Sequence, residues 1–218
     1  DGIVAIQINV TIEAYSTKEI VFTLGDASNK EEYQDLAYKY SNVNNCKNEY
    51  INIRRHWEQL VNKLQINTPM ESTNILLNGW LIYQTISSRM YGKTGFYQSG
   101  GAYGFRDQLQ DCMLIKYVEP NIAREQILRN CRHQFIEGDV EHWWHEETDK
   151  GIRTRISDDL LWLPYVVADY ISFTGDYEIL EENPSYKDGL RLSENENERY
   201  DLYKDADFKE SVYKHCIR

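Results

Sequence analysis

Apolar and polar residues alternate strictly near the start of the chain. From Val4 to Ile12 every even position is apolar, which is the period of a β-strand with one buried face. Residues 15–18 have turn chemistry, and residues 20–24 resume the alternation. The pattern predicts a β-hairpin within residues 1–29. Because a lone hairpin is only marginally stable in water, we expect it to be the C-terminal hairpin of a β-sandwich whose other strands precede the chain.

From residue 30 onward the apolar spacing becomes that of α-helices. A helical linker is predicted over residues 30–66, with an Asn-rich loop from Asn42 to Asn48. Residues 67–218 are predicted to form a helical domain with an acidic, irregular segment in its last third. Its expected helices cover residues 70–91, 106–118, 121–135 and 157–174 and begin again at 207, with the irregular segment at 181–206. Ser157 is the expected N-cap of the fourth helix, and Pro164 predicts a kink there or a later start.

Composition narrows the function classes. The formal net charge of −11 argues against nucleic acid and anionic membrane surfaces as partners. Hydrophobic residues make up 41% of the chain, enough for a folded core. The four cysteines show neither a CxxC motif nor metal-ligand spacing. With neither a membrane span nor a secretory signal, the sequence predicts a cytoplasmic protein, or the cytoplasmic region of a larger membrane-associated one.

Two polar and aromatic runs carry the candidate chemistry, and each leads into a predicted helix. The first run is YQSGGAYGFRDQLQD, residues 97–111. Its glycines let a ligand approach the main chain, while its aromatic rings, amides, Arg106 and Asp107 suit sugar rings, hydroxyls or a bound anion. The second run combines EGDVEHWWH, residues 137–145, with RTRISDDLLWLPY, residues 153–165. The alternative interpretation is a turn-rich connection in which Arg106 and Asp107 form a local ion pair.

Together these motifs closely resemble the bacterial glycoside phosphorylases of glycoside hydrolase family 94. The resemblance implies a mainly α fold, a partial (α/α)6 toroid preceded by the last strands of a β-sandwich. It also implies inverting phosphorolysis of a β-glucoside to α-glucose 1-phosphate, with inorganic phosphate as co-substrate, no cofactor and no metal. Because inorganic phosphate is itself the nucleophile, this reaction needs only one protein carboxylic acid, which protonates the departing oxygen.

The resemblance assigns roles to individual residues. It places Asp107 on hydroxyls of the donor sugar and Arg106 near the phosphate. Related phosphorylases carry a further Arg six residues ahead of this Asp, where this chain has Gly101, so the donor site is expected to differ in shape. The remaining predicted substrate-binding residues lie in the same two runs: Tyr103, Gln108, Trp144, Arg155 and Asp159.

Three alternatives stay open at this point. The histidines of the HWWH run lack a carboxylate at a suitable spacing, so a metal site is not favoured. Arg153, Arg155, Asp158 and Asp159 fit a structural Arg–Asp lattice as well as a ligand site. The family's proton donor is the Asp of a Trp-Asn-Asp motif, which this sequence does not contain. We therefore expect an inactive segment of a larger enzyme, with a non-catalytic carbohydrate-binding or structural fragment as the alternative and a homodimer left open.

Overall fold

A computed structural model describes residues 3–93 and 101–218 of the chain. The chain divides into two compact units, one ending at Trp57 and the other beginning at Glu58. Among the described residues, no helix is long and apolar enough to cross a membrane. The domain limits predicted at residues 29/30 and 66/67 stay predictions.

The first unit contains an irregular N-terminal segment followed by helices. The predicted turn is present, because the backbone N–H and the hydroxyl of Ser16 both donate to the Glu13 carbonyl, at 3.1 and 2.8 Å. No strand pairing flanks this turn among the described residues. The alternating apolar side chains are exposed there, as Ile6 (66%) and Phe22 (61%) show. The strand pairing that the alternation predicts is therefore absent from this described segment. Two short strands without a second sheet layer would leave their apolar face in water, so such pairing is only marginally stable.

Side-chain caps set where the first helices begin. Helix α1 spans Lys30–Tyr40, and Asn29 caps it by accepting from the Glu32 N–H at 3.0 Å. Helix α2 spans Val43–Val61, so the loop predicted over residues 42–48 is wrong. The Asn42 carboxamide accepts from the Asn44 N–H at 2.8 Å. The Asn-rich stretch is thus a helix start, and the preference of asparagine for caps explains its composition.

The second unit opens with an interrupted helix over residues 71–91. Its segments are α3 (Glu71–Ile75), a π-helical turn (Leu76–Trp80), α4 (Leu81–Gln84) and a second π-helical turn (Thr85–Tyr91). Gly79 has φ +154°, a conformation that side chains disfavour. Asn78 bonds both the N–H and the carbonyl of Ile66, at 2.6 and 2.8 Å. This asparagine therefore ties an extended segment to the helix.

Three longer helices and one short helix form the core of the second unit. They are α5 (Phe105–Ile115), α6 (Pro120–Arg132), α7 (Asp159–Thr174) and α8 (Val212–Ile217), with a 3-10 turn over Tyr177–Glu181. Their inward faces carry buried apolar side chains, including Leu109, Ile127 and Leu163. The mainly α class is confirmed. Asp158, not Ser157, occupies the N-cap of α7, and the helix begins before Pro164 and continues past it.

The second unit also contains two small antiparallel sheets. The four-stranded sheet has the order β1 (Ala102–Gly104), β2 (Glu141–His145), β3 (Lys150–Thr154) and β5 (Glu198–Leu202). The other sheet pairs β4 (Ser185–Asp188) with β6 (Lys204–Lys209). The irregular segment predicted over residues 181–206 is therefore wrong in part, and the last helix begins at 212 instead of 207. Strands this short and this charged show no clear period-2 alternation.

Candidate functional site

Strand β1 runs directly into helix α5, and this junction positions Asp107. Gly104 pairs with Trp143 of β2, so α5 begins beside the middle of that strand. Asp107 lies in the first turn of α5, and its carboxylate folds back over the junction. A Cβ atom on Gly104 would lie 2.2 Å from Asp107 Oδ2. The missing side chain of Gly104 is what gives this exposed carboxylate its place.

Strand β2 contains a β-bulge at His142. Glu141 is opposite Arg153 and Trp143 is opposite Ile152, so two residues advance on β2 where one advances on β3. His142 is the extra residue. Bulges break the alternation of side chains and re-aim one of them, and they are common next to active sites. Here the break leaves His142 partly exposed at the edge where α5 and α7 begin.

The bulged histidine bonds a buried carboxylate at the start of α7. His142 Nδ1 lies 2.7 Å from Asp159 Oδ2, and the Asp159 side chain is 2% exposed while that of His142 is 36% exposed. This hydrogen bond raises the pKa of His142 above its ordinary value, and the charges of Asp159, Asp107 and Asp158 act in the same direction. The imidazole is therefore held towards its cationic form.

Arg106 completes the group from the α5 side. Its Nη1 donates to Asp158 Oδ2 at 2.9 Å, and its guanidinium carbon lies 5.2 Å from the Trp162 ring centroid, within cation–π range. Both side chains of the ion pair are about half exposed, at 47% and 49%. The local ion pair of Arg106 is thus with Asp158, on another helix.

These residues form what we call the carboxylate cluster: Arg106, Asp107, His142, Asp158 and Asp159. It lies where the N-termini of α5 and α7 meet the bulge of β2. Ionised carboxylates accept hydrogen bonds from hydroxyls, and the two cations donate. Exposed acceptors beside exposed donors can bind a polyol, and within the described residues the Nε and Nη2 atoms of Arg106 make no hydrogen bond.

Two predicted substrate-binding residues lie in the core instead. Gln108 is fully buried, and its Oε1 accepts from the Gln126 carboxamide, which also donates to Asn130 at 2.8 Å. Trp144 is fully buried and stacks on His133, with ring centroids 3.6 Å apart. A ring with no exposed surface cannot contact a ligand in this structure, so the substrate contact predicted for Trp144 is corrected to a packing role.

Arg155 lies outside the carboxylate cluster. Its guanidinium donates to the carbonyls of Glu196 and Ser193, at 2.9 and 2.8 Å. Those bonds connect the end of β3 to a loop, and the ligand contact predicted for this exposed side chain stays a prediction. The predicted role of Tyr103 concerns a side chain outside the described part of the chain, although its backbone pairs with Trp144. Residues 97–100 of the glycine-rich run also lie outside the described residues.

A second charged group surrounds Arg153, and we call it the arginine lattice: Glu137, Asp139, Arg153 and the carbonyls of Gly189 and Leu190. The Arg153 side chain is 1% exposed. It donates to Asp139 Oδ2 and Oδ1 at 2.6 Å each, to Glu137 at 2.9 Å and to the two carbonyls at 3.1 and 3.2 Å. The lattice borders an open cavity of about 460 Å³. All the N–H groups of the Arg153 guanidinium are used in these bonds, so none is left to donate to a ligand.

The sequence analysis named Asp158 within an Arg–Asp group and His142 within the HWWH run, but it did not place either of them, or Trp162, beside Arg106 and Asp107. The one available signal was the Asp-Asp doublet at the start of a strongly apolar helix. The bulge could not be predicted, because it arises from the pairing of β2 with β3. Within residues 3–93 and 101–218, no three His, Cys, Asp or Glu side chains are placed so that they could hold a metal ion together.

Comparison with known proteins places these residues in a family context. Residues 56–218 match the family described as glycosyl hydrolase 94 superfamily, catalytic domain, and residues 1–43 match the glycosyl hydrolase 94 supersandwich domain. The whole chain is 36% identical over 218 residues to a cyclic β-(1,2)-glucan synthase of Rhizobium meliloti (strain 1021), of which it covers 8%.

More distant relatives are disaccharide phosphorylases. An N,N'-diacetylchitobiose phosphorylase of Vibrio furnissii is 24% identical over 184 residues, covering 72% of this chain and 23% of the relative. A solabiose phosphorylase of Paenibacillus borealis is 27% identical over 165 residues, covering 75% of this chain and 20% of the relative. The chain therefore spans less than a quarter of the length of each of these relatives.

Proposed function

The chain belongs to the glycosyl hydrolase 94 family of carbohydrate-active enzymes, and from that premise we propose that its carboxylate cluster is the donor-sugar side of a phosphorylase-like site. The observation that carries the proposal is the meeting of two helix N-termini at the exposed Asp107 carboxylate. Asp107 accepts hydrogen bonds from sugar hydroxyls, as the resemblance predicts. Asp159 takes part through His142 and, being buried, does not touch the sugar.

The proposed reaction is inverting phosphorolysis of a β-linked glucoside. Phosphate oxygen forms a bond to the anomeric carbon from the α face while the bond to the departing oxygen breaks, and a carboxylic acid donates its proton to that oxygen. The products are α-glucose 1-phosphate and the shortened sugar. We propose inorganic phosphate as the only co-substrate, with no cofactor. The relatives named above include both a glucan synthase and phosphorylases, so the proposal extends to the reverse, synthetic direction.

Arg106 is proposed to bind the phosphate. A guanidinium suits phosphate oxygens, and the N-terminus of α5 adds a favourable partial positive charge. In the structure Asp158 already accepts from Arg106 Nη1. Phosphate therefore has to share the guanidinium with this carboxylate, using its other nitrogens.

The second candidate is carbohydrate binding without catalysis. The observation that favours it is the missing Trp-Asn-Asp motif, whose Asp is the family's expected proton donor. Both candidates use the same sugar site and differ only in turnover. The homodimer left open by the sequence stays a prediction, and neither the described residues nor the comparisons support it.

Calorimetric titration of the 218-residue chain with sophorose, the β-1,2-linked glucose disaccharide, tests the proposed site. We expect saturable binding that Asp107→Asn weakens about tenfold or more, the loss typical of a charge-assisted hydrogen bond. Asp207→Asn is the matched control, because Asp207 is an exposed aspartate on β6, outside the cluster. Equal affinities of wild type and Asp107→Asn would refute the site.

Release of glucose 1-phosphate from β-glucan in the presence of phosphate separates the two candidates. We expect none from this chain, because the proton donor is missing. Turnover that Asp107→Asn abolishes would show that a carboxyl group within this chain acts as the proton donor.

A further inference from the structure

The proposed function gives the bulged histidine of β2 no contact of its own with the sugar. His142 is bound to a buried anion and influenced by an exposed one: Asp159 binds its Nδ1, and the charge of Asp107, in the first turn of α5, raises its pKa. A histidine with only a packing role could keep the direction that regular strand alternation gives to its side chain. Without the extra residue in β2, strand alternation would set its direction.

The contact with Asp159 fixes the tautomer of the ring. Because an ionised carboxylate only accepts hydrogen bonds, Nδ1 carries the proton at this contact. In the cationic ring Nε2 also carries a proton and donates. Within the described residues, His142 Nε2 makes no hydrogen bond, and the side chain keeps 36% of its surface exposed.

The charged groups that face His142 come from both neighbouring helices. Helix α5 contributes Asp107 and, through its pairing with Asp158, Arg106. Helix α7 contributes Asp158 and Asp159. Three carboxylates against one guanidinium leave this edge negative, and an imidazolium reduces that excess. The same arrangement places a hydrogen-bond donor next to the acceptor Asp107.

We propose that His142 is a sugar-binding residue of the site, donating from Nε2 to a hydroxyl next to the one that Asp107 accepts, with buried Asp159 as the residue that positions it. The proposal rests on the proposed function, since it takes the cluster to be the sugar site. Adjacent hydroxyls of a pyranose match such a donor–acceptor pair. Asp159, which the sequence placed on the substrate, then acts on the sugar through His142.

This arrangement makes sugar binding depend on pH. The hydrogen bond to Asp159 raises the pKa of His142 above its ordinary value of 6.5. Binding is therefore strongest below the raised pKa, where Nε2 donates from a cation. It weakens as the pH rises through that pKa, because Nε2 of the neutral ring only accepts while Nδ1 still donates to Asp159.

Nuclear magnetic resonance of histidine side chains tests the proposal on the 218-residue chain. The five histidines are labelled with ¹⁵N and followed during titrations with pH and with sophorose. We expect sophorose to shift His142 Nε2 and to raise the pH at which the ring titrates. His142→Gln should weaken sophorose binding about tenfold below the midpoint of that titration and much less above it. His145→Gln, on the same strand but paired towards β1, is the matched control and should bind as wild type.

Asp159→Asn separates positioning from packing. The amide still bonds Nδ1 but no longer stabilises the cation, so the His142 titration should move to lower pH. Sophorose affinity should then fall at neutral pH and recover on acidification, whereas a merely structural defect would not recover.

The outcomes distinguish this inference from the proposed function. Sophorose binding that depends on Asp107 but is equal in wild type and His142→Gln at every pH would overturn the role of His142 alone. An unmoved Nε2 resonance at saturating sophorose would do the same without any variant. No binding of sophorose to wild type would overturn both.

Discussion

The carboxylate cluster and the arginine lattice have the same side-chain chemistry and opposite properties. In the lattice the side chain of Arg153 is 1% exposed, and its guanidinium donates to two carboxylates and two carbonyls. In the cluster the Arg106–Asp158 pair is about half exposed and joined by one hydrogen bond. Both groups derive from Arg- and Asp-rich runs less than sixty residues apart. What separates a structural ion network from a binding site here is unused hydrogen-bonding capacity at an exposed position.

The largest expected effect is the loss of unfolding free energy when the arginine lattice is broken. Arg153→Met leaves the Asp139 carboxylate and two carbonyls without the Arg153 donor, and leaves Glu137 with its Arg191 contact only. Removing one partner of a buried network costs about 3–5 kcal/mol of unfolding free energy. Urea unfolding measures the loss. Arg191→Met is the control: its side chain is 75% exposed and pairs with the same Glu137 at 2.9 Å, so about 1 kcal/mol or less is expected. Similar losses in the two variants would contradict the structural role of the lattice.

A pair of glycines sharpens the comparison, because each lies against a carboxylate. A Cβ on Gly151 would lie 2.1 Å from Glu141 Oε1 in the buried sheet, and one on Gly104 would lie 2.2 Å from the exposed Asp107 carboxylate. Gly151→Ala is expected to cost about 1–3 kcal/mol of stability, the usual range for overpacking.

Gly104→Ala is expected to leave stability within about 1 kcal/mol, since Asp107 can rotate into solvent, and to weaken sophorose binding about tenfold. Thermal unfolding and calorimetric titration of both variants measure the two effects. If Gly104→Ala destabilises the chain as much as Gly151→Ala while sugar affinity is unchanged, Asp107 is a structural residue.

The buried carboxyl group of Glu141, next to His142 on β2, should make stability depend on pH. Burial raises the pKa of Glu141 to about 8 and lowers that of its partner His133 well below its ordinary range. A raised carboxyl pKa gives stability that is full below 4.5, its unfolded value, and is lost as the pH rises towards 8. The His133 contribution is instead lost on acidification below 6.5. Between 6.5 and 8 the His133 contribution is constant, and the raised pKa values of Glu141 and His142 both lower stability as the pH rises.

We therefore expect Glu141 to lower stability by at most about 1.4 kcal/mol per pH unit in that window. Glu141→Gln should reduce the slope, and Glu198→Gln, at an exposed position of β5, should not. Urea unfolding at a series of pH values is the measurement. An unchanged slope in Glu141→Gln would place its source elsewhere.

The smallest effect concerns phosphate. Because Asp158 already occupies Arg106, Arg106→Ala should weaken phosphate binding by about tenfold, the lower end for a charge-assisted contact. Asp158→Asn should strengthen phosphate binding several-fold, because it removes the competing anion. The two variants should therefore change phosphate affinity in opposite directions. Titration with inorganic phosphate measures both, and a loss in Asp158→Asn would rule out competition for the guanidinium.

Helices α6 and α7 could be predicted from sequence, because α6 has one apolar face and α7 is rich in apolar residues throughout. The prediction over 121–135 became α6 (Pro120–Arg132), and that over 157–174 became α7. The short strands β4, β5 and β6 could not be predicted, since their charged side chains carry no period. Their pairing is decided by contacts far along the chain.

The site was predictable in the same uneven way. Asp107, Arg106 and Asp159 were predicted from their motifs, and the structure brings them together. Trp144 was predicted as a substrate-binding residue from the resemblance, yet its side chain is buried. His142 was considered only as part of the HWWH run, because the bulge that sets its direction does not show in the sequence pattern.

Amide chemical-shift mapping with sophorose tests the central claim most directly, because it reports on the cluster and the lattice at once. The account predicts saturable shifts at Asp107, His142 and Asp159 with little change at Glu137, Asp139 and Arg153. Shifts centred on the cavity beside Arg153, with the starts of α5 and α7 unmoved, would show that the lattice is the binding site and that the cluster is structural.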